Sequence, residues 1–404
     1  MKYFSLFSGI GGFELGIHKA YVEITHRNAV RKGKGNQKKN AKVRQGLESA
    51  KGKGARAQDG RPIKLPDWSD DPRAPHCVGY SEIDKYAIQI YEKYFKHKNY
   101  GDIRKIRARN LPDFDLLIGG FPCQSFSIAG KRKGFEDTRG TLFFEIARIA
   151  AAKRPRLLLL ENVKGLLNHE GGRTFGIILR TLDGLGYDIQ WQVLNSKNFG
   201  VPQNRERVFI VGHLRGTPRP EVFPVREDGS EDIILPTITT RVTAHSNGAY
   251  VGKRSPRQII GGSQGDRVYD PSGISTTIAS QAGGLGAKTG LYAVKVKEAT
   301  RKGYSEAGTG DSINLSVPNS KTRRGRIGKG VAQTLDTGMQ QYTLHGMKIR
   351  RLTPTECERL QGFPDGWTDG VSDAQRYKCL GNAVTVNVIQ AIVYKLLKHK
   401  NNEK

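Results

Sequence analysis

"YFSLFSGIGGFELG", residues 3–16, is an apolar run that stops at closely spaced glycines and resumes as a helix-like segment. Strand, tight turn, helix is the reading. At the carboxyl end of an α/β sheet such a turn lets backbone approach a nucleotide-like ligand, and the helix N-terminus offers free N–H groups. Alone the pattern is weak, since many glycine turns bind nothing. The chain continues in the same rhythm, however. Further strands are expected at "CVGYSE" (77–82), "FDLLIGG" (114–120), "RLLLLEN" (156–162), "WQVLN" (191–195) and "RVFIVGH" (207–213). Helices are expected between them, at 140–154 and 174–186. Apolar runs without polar alternation suit strands covered on both faces, so the first 218 residues predict an α/β, Rossmann-like parallel sheet.

Residues 21–75 interrupt that rhythm. Between His26 and Arg61 there are 12 Lys and Arg against Glu48 and Asp59, with almost no large apolar side chains. Such a segment cannot bury enough surface to order itself, and it reads as a basic, disordered insertion. It is either an idle solvated loop or an arm that contacts nucleic acid non-specifically. From 219 to 376 Gly, Ser, Thr and basic residues dominate, and short β fragments replace the βα rhythm. Three of these, within 235–251, 273–294 and 330–344, share a Thr-Ile/Leu pair followed by Gly and Tyr; they are repeated hairpins or recurrent turn chemistry. Helices return at 353–362 and 382–400, and residues 377–404 are expected to rejoin the large domain.

Composition narrows the partner. The 404 residues carry 66 Lys and Arg against 38 Asp and Glu, a net charge of +28. That surplus calls for a polyanion, either nucleic acid or a membrane surface. No apolar run approaches the ~20 residues that cross a bilayer, and the N-terminal run meets glycine too early for a signal-peptide core. Nucleic acid is the better partner. Cys77, Cys123, Cys357 and Cys379 are widely spaced without CxxC pairs, which predicts neither zinc nor disulfides, and a reducing, cytoplasmic location. The histidines show no metal-ligand spacing either.

Several side chains cluster at strand ends. Glu82 closes "GYSE", where a carboxylate can take both hydroxyls of a ribose, and Asp102 in "GDIRKI" is placed to hold an adenine edge. Cys123 follows "IGGFP" and precedes Lys131, Arg132 and Lys133, which favour a thiolate; the alternative is a small buried hydrophobe. Glu161 ends the apolar run "LLLLE", where desolvation favours a proton donor, or else it caps a helix or pairs with a cation. In "VPQNRERVF", alternation points Gln203, Arg205 and Arg207 to one face, to bind phosphate, position a carbonyl or pair with Glu161.

Taken in order, "FSGIGGFELG", "SEIDKYA", "GDI", "GGFPCQSFS…KGFEDTRGTLFFE", "ENVKG", "QNRERVF", "RRLTPTECERLQGFPD" and "GNAVTVNV" resemble the cytosine-C5 DNA methyltransferase family. The resemblance covers most of the chain outside 21–75 and parts of 220–348. It implies a methyltransferase sheet, a smaller target-recognition domain, S-adenosyl-L-methionine as cofactor and double-stranded DNA as substrate. By resemblance the cofactor contacts are Phe7, Ile10, Gly12, Glu82, Ile83, Asp102, Ile103, Pro122, Leu142, Asn382 and Val384. Cys123 is then the nucleophile that adds to cytosine C6, Glu161 the group that protonates N3, Arg205 the contact to the base carbonyl and Arg207 its support. The base must be flipped out of the duplex to react.

The segment 259–292 resembles the recognition element of members that read GCGC. It implies base contacts from Gln264 and Arg267 and a phosphate contact from Thr277, unless that hairpin is scaffold common to several specificities. Ala383 stands where relatives commonly carry Ser, and residues 298–330 have no counterpart in the shortest relatives. A monomeric prokaryotic or phage-type enzyme is expected, nucleoid-associated and possessing, in some systems, a cognate restriction endonuclease for the same site. The rival readings are an RNA cytosine-C5 methyltransferase and a catalytically inactive DNA-binding homologue.

Overall fold

The computed structural model describes residues 1–31, 71, 73–122, 142–218, 220–225, 268–269, 291–292, 294–316, 320, 322, 324–338, 340–345 and 348–400. The chain divides into two compact units, one of residues 1–227, 331–340 and 352–404, the other of 228–330 and 341–351.

The larger unit is built on β1 (Lys2–Leu6), α1 (Gly12–Arg31), β2 (His76–Ser81), α2 (Lys85–Tyr94), β3 (Leu116–Gly120), α3 (Leu142–Lys153), β4 (Leu157–Val163), α4 (Arg173–Gly184), β5 (Tyr187–Asn195), β6 (Gln203–Asn204) and β7 (Glu206–Leu214). Six strands form one sheet in the order β2-β1-β3-β4-β7-β5. The first four run parallel, as the uninterrupted apolar runs predict. β7 departs from that expectation and lies antiparallel to both β4 and β5. The connection 196–205 is too short for the crossover that a parallel return requires, so the chain can only double back.

Helices cover both faces, which is why β3 and β4 carry leucine and isoleucine on each side. On one face Ile17, Ala20 and Ile24 of α1 pack with Val388, Ile389 and Ile392 of the C-terminal helix. On the other, Ile146 and Ile149 of α3 and Ile178 and Leu182 of α4 close the core. Each buried aliphatic side chain of this kind contributes about 2 kcal/mol. The approach of α1 to the C-terminal helix depends on Gly16, whose Cβ would sit 2.6 Å from Ile389 Cβ.

The expected insertion begins later than the composition suggests. Helix α1 runs on to Arg31, because Tyr21, Val22 and Ile24 are buried and hold its second half to the core. Residues 32–70, where the rest of that reading falls, lie outside the described residues. The return to the larger unit likewise comes at residue 352, not 377. Cys357, Leu360, Phe363 and Trp367 are buried beside Ile10, Leu15, Tyr80 and Ile90, and this apolar contact draws the whole stretch in.

The smaller unit consists of short strands. β8 (Val268–Tyr269) pairs with β9 (Leu291–Tyr292), and β10 (Val294–Lys297) with β11 (Tyr304–Ala307). β12 (Ser312–Asn314) and β13 (Ile327–Gly328) join β15 (Gln341–His345) and β16 (Lys348–Arg351) in a four-stranded sheet. The third of the similar fragments is not a hairpin. Its first half, β14 (Ala332–Gln333), pairs parallel with β6 in the larger unit, while its second half enters β15. The first fragment and most of the second lie outside the described residues.

Three helices finish the larger unit: α5 (Pro354–Gln361), α6 (Asp373–Asn382) and α7 (Val386–Lys400). A capping box between Thr353 and Glu356, with Pro354 in the first turn, starts α5. Residues 373–398 are the one described helical stretch long and apolar enough to cross a membrane, and most of its apolar window is buried within the protein. It serves as core.

Candidate active site

The parallel strands deliver their carboxyl ends to one rim. There the glycine turn takes left-handed backbone at Gly9 and Gly11, and Phe7, with φ of 53°, is one of few non-glycine residues in that region. Strain of this kind is stored where surrounding structure forces it, often at binding sites. Glu82 ties the turn to the end of β2: its Oε2 accepts from Gly9 N at 2.8 Å, and its Oε1 accepts from Ile83 N and Asp84 N at 2.8 and 2.9 Å. Three of a carboxylate's roughly four lone-pair positions are thus filled, and the remaining one lies on Oε2. Ile83 projects from the same rim, 69% exposed.

Asp102 caps a short turn through Arg104 N and holds the Arg104 guanidinium at 2.6 Å, which keeps its carboxyl below the usual range. Ile10 and Ile103 are buried beneath the rim. Gly12 meets Val384 directly: a Cβ there would lie 2.9 Å from Val384 Cγ1 and 3.1 Å from Val384 O. Asn382 is exposed beside it, Leu142 half-buried and Pro122 exposed. The structure thus gathers Phe7, Glu82, Ile83 and Val384 around the glycine turn.

Two unanticipated side chains consolidate this rim. Trp367, fully buried, donates from Nε1 to Ile10 O at 2.9 Å, and Lys378 pairs with Asp84 at 2.7 Å. Nothing in the local sequence around Trp367 announces a contact 357 residues away. Helix α6, which carries Lys378, starts at Asp373, ahead of the expected boundary at 377, where "DAQRYKCLGN" offers few apolar positions.

At the end of β4, Glu161 faces Arg207 across the β4–β7 pair, with Arg207 Nε 3.1 Å from Glu161 Oε1. Gly120 on β3 makes room for this carboxylate, since a Cβ there would lie 3.0 Å from Oε2. The neighbouring Asn162, buried, donates from Nδ2 to Phe121 O at 2.8 Å. That bond pins the chain where it leaves β3 for Pro122.

Gln203 and Arg205 behave differently from Arg207. Gln203 donates to Leu360 O and accepts from Leu335 N. Arg205 is 2% exposed; Nη1 donates to Leu335 O at 3.2 Å, and Nη2 donates to Gly381 O and Ala383 O at 3.1 and 2.8 Å. Its Nε has no hydrogen-bond partner among the described residues. Burial pushes the guanidinium down to about 9, with the Arg207 charge adding to the shift and Glu161 opposing it. The expectation that alternation points all three side chains to one face is therefore corrected. The irregular join between β6 and β7 sends the terminal nitrogens of Arg205 into the framework, and Arg207 to Glu161.

Cys123, Lys131 and Arg132 lie outside the described residues, as do Gln264, Arg267 and Thr277. Among the described residues no cluster of His, Cys, Asp and Glu could hold a metal ion.

A central sheet with this topology and a carboxylate–guanidinium pair on its carboxyl rim is compatible with a methyltransferase. The solved Dnmt2 methyltransferase of S. pombe shares the fold, with a TM-score of 0.50 at 16% identity over 99% of both chains. Residues 73–398 match the C-5 cytosine-specific DNA methylase family. The chain is similar to the type II methyltransferase M.HhaI of Haemophilus parahaemolyticus, 34% identical over 79% of this chain and 87% of the relative. It is also similar to the orphan methyltransferase M.Rho11sI of Bacillus phage rho11s, 31% identical over 81% and 94%. The chain belongs to the C-5 cytosine-specific DNA methylase family and is a DNA cytosine-5-methyltransferase.

Proposed function

We propose that the enzyme adds the Cys123 thiolate to C6 of a cytosine flipped out of duplex DNA and methylates C5 of the resulting adduct. The observation that carries this reading is the Glu161–Arg207 pair, set against Gly120 and beside the Asn162–Phe121 bond that fixes the chain as it reaches Pro122. Cytosine C5 is too poor a nucleophile to react unaided. Addition at C6 converts it into an enamine-like carbon. Glu161 hydrogen-bonds N3 and delivers a proton there, so charge does not build up on the ring. Arg207 holds Glu161 in place. Arg205 Nε–H, without a hydrogen-bond partner among the described residues, is assigned to the base carbonyl. Loss of the C5 proton to water or hydroxide then expels Cys123.

The rim fits S-adenosyl-L-methionine: a glycine turn that admits close approach, an acceptor position on Glu82, and the exposed apolar Ile83 for the face of a flat ring. When bound, that cofactor supplies the electrophilic methyl group. Phe7, Ile10, Gly12, Asp102, Ile103, Pro122, Leu142, Asn382 and Val384 complete the proposed site. Base contacts are assigned to Gln264 and Arg267 in a GCGC-like site, and phosphate contacts to Thr277, Lys131 and Arg132. Residues 219–376 include the recognition region. The relatives include both a type II methyltransferase and an orphan one, so a cognate endonuclease is a feature to be sought in the genome neighbourhood. A cytoplasmic monomer is part of the proposal.

Trapping tests the chemistry. A duplex with 5-fluorocytosine at the target should form a covalent adduct that survives denaturation, and Cys123→Ser should abolish it. No adduct with any duplex, or an adduct with transfer RNA alone, would overturn the reading. Bisulfite sequencing of plasmid DNA from expressing cells reports the site.

A further inference from the structure

We infer that Arg205 is a positioning residue for the cofactor turn, coupling the site of the base to the site of S-adenosylmethionine through one buried guanidinium. The inference rests on the cofactor site proposed above. Gly381 and Asn382 end α6 and residues 383–385 join it to α7, and Val384 packs on Gly12 of the glycine turn. The turn from α6 to α7 is fixed from below by Arg205, whose Nη2 takes the carbonyls of Gly381 and Ala383, on either side of Asn382. From the same guanidinium Nη1 takes Leu335 O. The space is closed by Gly381, where a Cβ would lie 2.6 Å from the backbone of Asp336.

A planar fork can satisfy three carbonyls at once; an ammonium on a flexible stem cannot reproduce that geometry. Two residues beyond Arg205, Arg207 holds Glu161. A shift of the turn from α6 to α7 is therefore felt at the start of β7, and the reverse. A second set of bonds supports the same turn independently: Thr385 Oγ1 donates to Gln361 Oε1 at 2.8 Å and lies 2.8 Å from Ser196 Oγ.

The test is cofactor affinity without DNA, measured by titration calorimetry on the full chain, because a residue that only touches the base cannot alter it. Arg205→Lys should weaken S-adenosylmethionine binding tenfold or more in the DNA-free protein. Binding within twofold of the unaltered protein would overturn the coupling, even if adduct formation with the 5-fluorocytosine duplex were lost. If Arg205→Lys does not fold, Thr385→Val serves, since it loosens the same turn while leaving the guanidinium in place. It too should weaken cofactor binding, and unchanged affinity there would overturn the inference. Adduct formation by the unaltered protein reports on the proposed function separately, so the two readings fail by different measurements.

Discussion

Arg207 Nε lies 3.1 Å from Glu161 Oε1, with the two side chains 15% and 13% exposed, so this ion pair is largely withdrawn from water. If Glu161 delivers a proton to the base, Glu161→Gln keeps the shape but cannot do so, and turnover should fall roughly 100- to 10,000-fold. Methyl transfer to duplex DNA under single-turnover conditions measures it; a loss below fivefold contradicts the role. Arg207→Met instead leaves the carboxylate without its partner and should cost about 3 kcal/mol of stability in urea unfolding.

Gly120 provides a finer probe of the same carboxylate. A methyl group there would be 3.0 Å from Glu161 Oε2, so the carboxylate must shift by a few tenths of an ångström. Gly120→Ala should lower kcat by about tenfold or more, since small misplacements of a reacting group are costly. Affinity for S-adenosylmethionine should stay within twofold, because the cofactor rim is bounded by other residues. Weakened cofactor binding with normal kcat would show that Glu161 is not what the glycine protects.

Much of this was legible before the structure. All six main strands appear where the sequence placed them, and β3 and β4 lack polar alternation because both their faces are covered. The half-buried β5 begins at Tyr187, ahead of the expected 191. The direction of β7 was not legible: parallel and antiparallel strands read alike when both faces are buried, and only the length of the 196–205 connection decides. Burial misled at α1, whose basic composition after His26 conceals the apolar Tyr21, Val22 and Ile24 just before it. At the site, residue types singled out Glu82, Glu161 and the arginines as candidates, but not the partners that hold them. Sequence alternation cannot foresee that Arg205 is claimed by carbonyls from residues 335, 381 and 383, which are brought near only by the tertiary fold.

Glu14, wholly buried in the first turn of α1, gives a prediction for pH. Its Oε1 accepts from Tyr91 Oη at 3.2 Å, and burial raises its carboxyl to about 7, only partly opposed by hydrogen bonding. A raised carboxyl pKa means the folded state holds a proton that the unfolded state has released. Stability therefore falls as pH rises from about 4.5 towards 7 and stays low above it, by on the order of 3 kcal/mol. Glu14→Gln removes that dependence. Its melting temperature should exceed that of the unaltered protein at pH 8 and match it near pH 4.5. His18 and His97, both pushed down to about 4 by burial, affect the two proteins alike and cancel in the comparison. An equal difference at both pH values would contradict a titrating Glu14.

The basic segment can be tested by deletion, with its boundary now set by α1. Residues 32–61 contain 10 Lys and Arg against Glu48 and Asp59, a net +8. Each phosphate neutralised by such a charge releases about 0.9 counterion from duplex DNA, which sets the slope of log affinity against log salt. Removing 32–61 while retaining α1 to Arg31 should leave the methyl-transfer rate at saturating DNA within about twofold. It should weaken binding to non-target duplex at low salt and lower the slope by about one for every phosphate that is no longer neutralised. Shortening only to Arg31 matters, because a deletion starting at Arg27 would cut the helix and remove the Arg27–Glu23 ion pair along with the charge. An unchanged slope would show that the segment is a solvated loop whose charge never meets DNA, and the surplus of +28 would have to act elsewhere on the surface.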